Sequence, residues 1–143
     1  QSKAVMARLK ELDKPFIIPG KIFEDHRGFV FHNNSFDLSR VKRVYEIQNR
    51  NENMQRGWKG HVKEARWFYC TNGKYTIKVR TLIDKSKIGS YEYTFSLKYK
   101  TGDVLYVPKN YATLLKQDFK DSSVLCFSDY SFQDREKDIR IKI

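Results

Sequence analysis

Cysteine, proline and glycine are scarce in this chain, with two, three and seven among its 143 residues. So few glycines and prolines, set against an aromatic content of 15%, exclude a low-complexity or disordered chain and imply a packed core. Cys70 and Cys126 both lie in apolar, strand-like runs, WFYCT and VLCFS. Thiols in such runs are more often core filling than halves of a bridge, so a reducing, cytoplasmic setting is expected. No apolar run approaches the ~18 residues that span a bilayer, and no charged-then-apolar leader opens the chain. Acid is the remaining shortage: 17 Asp and Glu against 28 Lys and Arg leave a formal charge of +11. That excess calls for an anionic partner without choosing between nucleic acid, an acidic membrane and a phosphorylated small molecule.

What is present reads as one domain. Residues 3–13, KAVMARLKELD, space Val5, Met6, Leu9 and Leu12 by three and four, which predicts a short amphipathic helix stopped by Pro15. Beyond it the periodic segments are strand-like, from FIIPGKIF and GFVFHNNSF to SSVLCFSDY and DIRIKI. Asn72-Gly73, between ARWFYCT and KYTIKVRTLI, is a strong hairpin signal. Roughly nine or ten strands with regular turn signals predict a β-sandwich or barrel. With no repeat and no linker, residues 1–143 form a single all-β domain with residues 1–14 as a helical extension.

Two segments carry motif-like spacing. Residues 56–73, RGWKGHVKEARWFYCTNG, hold His61 with Lys59 two positions earlier. Residues 102–113 place Gly102, Pro108, Asn110 and Thr113 at intervals of six, two and three. Together they resemble the paired motifs of the cupin jelly-roll β-barrel, His-x-His with a later Glu and Gly, and Gly-x5-Pro-x-Gly-x2-His. In that pattern, imidazoles and a carboxylate converge on a metal. Here Lys59 stands for the first histidine, roughly Ala65 for the glutamate, Asn110 for the glycine and Thr113 for the last histidine. Asn tolerates the left-handed turn conformation nearly as glycine does, so Asn110 is a mild change. One imidazole beside a cation does not hold a divalent ion. The barrel is expected, and a metal is not.

Further segments narrow the resemblance. Lys42-Arg43-Val44-Tyr45, Arg56-Gly57-Trp58 with His61, Ser128-Asp129-Tyr130 and Asp138-Ile139-Arg140 are similar to those of the dTDP-sugar 3,4-ketoisomerases (WxcM-like). Asp25-His26-Arg27-Gly28-Phe29 resembles a segment of the dTDP-4-dehydrorhamnose 3,5-epimerases. These likenesses run from about residue 20 to the end of the chain. They imply a cofactor-independent isomerase or epimerase of a dTDP-4-keto-6-deoxy-hexose, serving polysaccharide or glycan precursor synthesis. By the same resemblance, Arg27, Gln48 and Arg56 meet the nucleotide diphosphate, and Arg66 holds the place of an epimerase lysine with that job. His61 is the implied ketoisomerase base. The epimerase base falls on Lys59, the epimerase tyrosine acid falls beside Tyr130, and the aspartate that orients the epimerase histidine falls near Arg80. Cupins of this group form homodimers through their N-terminal strands, so FIIPGKIF and Arg27 are expected to complete a neighbour's pocket.

The residues themselves support such chemistry. The proton at C3 of a 4-keto sugar is acidified, and its removal gives an enediolate that can be reprotonated at C4. His61 titrates near neutrality, and Lys59, two residues away on one strand, faces the same side, where its ammonium suits the developing oxyanion. Arginine's planar fork suits phosphate oxygens at Arg56 and Arg66. Tyr45 either fills the core or stacks on a sugar or thymine ring. Two function classes stand: the isomerase, and a catalytically impaired nucleotide-sugar-binding cupin in which Lys59 ended turnover. Nucleic acid ranks below both, because no arginine-rich helix, zinc knuckle or ribonucleoprotein motif accompanies the charge. A membrane partner is not expected.

Overall fold

Alternating apolar residues make strands wherever one face can be buried, and strands dominate the molecule. In the computed structural model, which describes residues 14–135 and 139–141, they are β1 (Phe16–Ile18), β2 (Lys21–Asp25), β3 (Gly28–His32), β4 (Arg43–Ile47), β5 (Gln55–His61), β6 (Arg66–Asn72), β7 (Lys74–Asp84), β8 (Lys87–Ile88), β9 (Tyr93–Lys98), β10 (Val104–Val107), β11 (Tyr111–Gln117), β12 (Ser123–Ser128) and β13 (Ile139–Arg140). A short 3-10 turn at Leu38–Arg40, capped by the Asp37 side chain, is the one helical segment among the described residues. The helix expected over residues 3–13 lies outside them. No helix among them is long and apolar enough to cross a membrane.

Two antiparallel sheets face each other and curl into a jelly-roll barrel. One runs β1-β10-β6-β12-β4, the other β13-β5-β11-β7-β8 with β9 also paired to β7. β2 and β3 pair only with each other among the described residues. Every second residue of the central strands points inward: Phe68 and Cys70 on β6, Ile77 and Val79 on β7, Leu105 and Val107 on β10. On the outer face of the first sheet, Trp67 and Tyr106 lie under Phe36 and Val41. That covering segment is pinned where the Asn33 amide donates to the Ile18 and Gly102 carbonyls, each at 2.9 Å.

The sequence expectation needs one correction. Asn72-Gly73 does not close a hairpin. β6 pairs with β10 and β12, whereas β7 pairs with β11, β9 and β8, so the turn carries the chain from one sheet to the other. Gly73 does adopt the left-handed φ of 65° that the dipeptide suggested. Across the barrel, Phe68 and Cys70 of one sheet share a core cluster with Tyr75 and Ile77 of the other. Several elements, such as β8 and β13 at two residues each, are too short to leave a periodic signature, so the strands outnumber the nine or ten expected.

Candidate active site

The barrel interior is packed tightly around Tyr75, Ile77 and Leu97, and it opens into a cavity of about 540 Å³. Its walls come from β4, β5, β6 and β11 together with Arg135. β5 sets the chemistry of one wall. Lys59 and His61 alternate inward, with Thr113 paired to Lys59 and Tyr111 to His61. Leu114 then pairs with Gly57, so Trp58 is an extra residue in a β-bulge. The bulge reverses the alternation, and Arg56 therefore joins Lys59 and His61 on the cavity side. Gly57 makes this possible: its φ is 134°, and a Cβ there would overlap the Thr113 carbonyl oxygen.

The cavity is basic. Among the described residues, Arg43, Arg56, Lys59, Arg66 and Arg135 line it, against the single acid Glu46. Arg66 is 4% exposed, deep on β6. Its Nη1 donates to Thr113 Oγ1 at 3.1 Å, and its guanidinium lies 5.5 Å from the centre of the Phe68 ring. Its Nε and Nη2 are buried and have no hydrogen-bond partner among the described residues. Buried guanidinium donors in a native protein are satisfied as a rule, and these two, on a cavity wall, suit the oxygens of an anion.

Arg43 lies 4.8 Å above the Tyr45 ring. Its Nη2 is 3.4 Å from Glu64 Oε1, and the other oxygen, Oε2, is 3.5 Å from His61 Nδ1. Glu64 is 1% exposed and His61 is 5% exposed. Arg56 Nε donates to Asn49 Oδ1 at 3.3 Å, fixing its stem at the cavity mouth. Burial, reinforced by the neighbouring Cys126, pushes the Tyr45 hydroxyl well above the usual tyrosine range. Tyr45 therefore offers the cavity a neutral hydroxyl and a ring face. Burial likewise pushes the Cys126 thiol up to about 11. Among the described residues no group of three or more His, Cys, Asp and Glu side chains is placed to hold a metal.

Of the residues singled out from sequence, Tyr45, Gln48, Arg56, Lys59, His61 and Arg66 all line this one cavity. Tyr130 and Arg27 do not. Tyr130 follows β12, half-buried, with its N–H donating to Ser128 Oγ at 3.1 Å. Arg27 stands exposed in the β2–β3 turn, ion-paired with Asp25, whose carboxyl it holds below the usual range. Sequence reasoning assigned no role to Arg43 and passed over Glu64. The cupin spacing put the glutamate position on Ala65, one residue away, and so counted that ligand as absent; Ala65 is buried in the outer cluster with Trp67.

The family described as FdtA, WxcM-like, C-terminal matches residues 17–140. Solved structures with the same fold include the 3,4-ketoisomerase QdtA from Thermoanaerobacterium thermosaccharolyticum, in a variant bound to TDP-4-keto-6-deoxyglucose. It is 23% identical, with a TM-score of 0.63 over 85% of each chain. The dTDP-4-dehydrorhamnose 3,5-epimerase from Bacillus anthracis, with TDP and PPi bound, gives 0.68 at 16% identity over 84% of this chain and 75% of that one. A 3'-monoepimerase from Streptomyces bikiniensis in complex with dTDP-quinovose gives 0.69 at 12% identity, covering 82% and 65%. No curated protein matches the sequence.

Proposed function

The chain belongs to the WxcM-like, C-terminal family, and from that premise we propose that it is a cofactor-independent isomerase of a nucleotide-linked 4-keto-6-deoxy sugar. The observation that carries the proposal is Arg66, a buried cation with two unsatisfied donors on the wall of a basic cavity. A diphosphate supplies the oxygens those donors lack, with Arg56 at the mouth and Arg43 beside Tyr45 as further partners. The ligands of the fold neighbours, TDP-4-keto-6-deoxyglucose in the ketoisomerase and TDP with PPi in an epimerase, have the same chemistry.

With the diphosphate on the arginines, the sugar extends toward Lys59 and His61. His61 removes the proton at C3 and the electron pair moves onto the C4 ketone oxygen to give an enediolate. The O3 hydroxyl proton passes to O4, and a proton returned to C4 leaves the ketone at C3 and a hydroxyl at C4. Lys59 stabilises the oxyanion from the same face of β5. Tyr45, held neutral, packs its ring against the ligand and donates a hydrogen bond. The enzyme works in the cytoplasm in surface-glycan precursor synthesis. It is a homodimer in which the β2–β3 hairpin brings Arg27 to the neighbouring cavity.

Solvent deuterium exchange tests the chemistry. Incubated with dTDP-4-keto-6-deoxyglucose in D2O, the wild type is expected to place deuterium at the ring carbons next to the ketone. His61→Asn should lose this by a factor of about 10² or more, and Lys59→Ala by a similar factor. Exchange that persists in both variants would remove His61 and Lys59 from the mechanism. A wild type that binds dTDP without exchange would make the protein a binder.

A further inference from the structure

Glu64 is more deeply buried than any of the cations around it, yet it forms no part of the cavity wall. It stands in the turn between β5 and β6, behind His61. A carboxylate is seldom left in such a place unless it is paired, because taking its charge out of water is costly. Its two oxygens serve two different cavity residues. Oε1 is 3.4 Å from Arg43 Nη2, and Oε2 is 3.5 Å from His61 Nδ1. Both contacts are longer than the ~2.7–2.9 Å of a tight charge-assisted hydrogen bond.

The other groups around His61 among the described residues are cationic or neutral. Lys59 is on its own strand, Lys63 in the turn, Arg43 on β4, Arg66 on β6, and Tyr111 opposite on β11. Glu46, the other acid of the site, belongs to the β4 wall. Among the described residues, Glu64 is thus the acid whose carboxylate faces the imidazole.

We propose that Glu64 is a positioning residue that holds His61 with its proton on Nδ1 and divides its charge between His61 and Arg43, so that one buried carboxylate sets both the base and the anion-binding wall. With Nδ1–H turned to Glu64, the lone pair of the neutral ring is on Nε2, the nitrogen left for chemistry in the cavity. An anion engaging Arg43 weakens that residue's hold on Oε1 and leaves more of the carboxylate's charge to His61. Linkage makes the effect reciprocal: protonating His61 strengthens anion binding. The inference rests on the isomerase reading only in treating His61 as the base. The tautomer and the charge sharing are tested without substrate.

The experiment is a long-range 1H–15N correlation of the imidazoles, recorded against pH in the full-length protein. The chain has three histidines, and His26→Asn and His32→Asn assign the signals by subtraction. In the wild type the neutral His61 ring should be protonated on Nδ1 and bare on Nε2, the reverse of the tautomer a free histidine prefers. Glu64→Gln keeps an acceptor but removes the charge, so the midpoint of His61 should fall by about one pH unit. Added dTDP should raise that midpoint in the wild type by more than it does in Glu64→Gln. A wild-type ring protonated on Nε2, or a midpoint unmoved in Glu64→Gln, would overturn the proposal. The wild-type tautomer decides the matter even if Glu64→Gln does not fold. Failure of dTDP to bind while His61 shows the Nδ1–H form would overturn the nucleotide-sugar reading and leave the role of Glu64 standing.

Discussion

At position 66 the protein keeps a cation where an apolar side chain of similar volume would pack at less cost. Arg66 sits beside Phe68 on β6, with one donor satisfied by Thr113 and two with no partner among the described residues. A buried charge of that kind lowers the stability of the empty protein, and replacing it with a hydrophobic residue is often neutral or stabilising. Its retention is understandable if a ligand completes the pairing. Arg66→Met is therefore expected to separate binding from stability. Affinity for dTDP should fall by about 10- to 100-fold, the worth of one or two hydrogen bonds to a charged group. The melting temperature without ligand should stay level or rise. Arg66→Lys should not restore affinity, since an ammonium lacks the fork that reaches Thr113 and an anion at once. Calorimetric titration and thermal melts of the same samples check both halves, and a parallel loss of stability and affinity would mean that Arg66 is structural.

Among the elements, β5 decides whether the site exists. Its bulge at Trp58 puts Arg56 on the cavity side, and the bulge depends on a residue without a side chain at position 57. Gly57→Ala is expected to cost about 1–3 kcal/mol, because any side chain there is strained at φ 134° and overlaps the Thr113 carbonyl oxygen. Affinity for dTDP should fall with it, as Arg56 turns away. Urea unfolding and dTDP titration measure the two effects, and stability lost with affinity intact would show that the bulge does not aim Arg56. This element also shows what the sequence could and could not tell. Alternation in ARWFYCT and KYTIKVRTLI was enough to find β6 and β7, and the 102–113 spacing was enough to find the turn where Asn110 takes a φ of 68°. The pairing of β6 and β7 was hidden, because a turn dipeptide reports local φ and not which sheet the next strand joins. The Arg43–Glu64–His61 arrangement was hidden for a related reason: it joins residues of β4, β5 and the following turn that only the closed barrel brings together. The cupin pattern put its glutamate position on Ala65 and so read the carboxylate as lost, although Glu64 stands one residue away.

For the whole molecule, the open question is the β2–β3 hairpin. It pairs with neither large sheet, and Ile22, Phe23, Phe29 and Val30 on it are each more than half exposed. A two-stranded ribbon with so much apolar surface is marginal alone, and a second copy of the chain is the partner the dimer proposal supplies. Arg27 stands in the turn of this hairpin, away from the cavity of its own chain. If the hairpin crosses to the neighbour, Arg27→Ala should weaken dTDP binding by several-fold although Arg27 lines no cavity within one chain. Mixing decides between crossing and remote effects. Arg27→Ala and Arg66→Ala chains, unfolded together and refolded at equal amounts, give heterodimers in which one site has both arginines and the other has neither. Random pairing then restores full affinity to about a quarter of all sites. A hairpin that serves its own chain restores none, because every chain in the mixture lacks one of the two. Sedimentation of the wild type supplies the condition on which the test depends, since a monomer at assay concentration would end the crossed-hairpin proposal before any mixing is done.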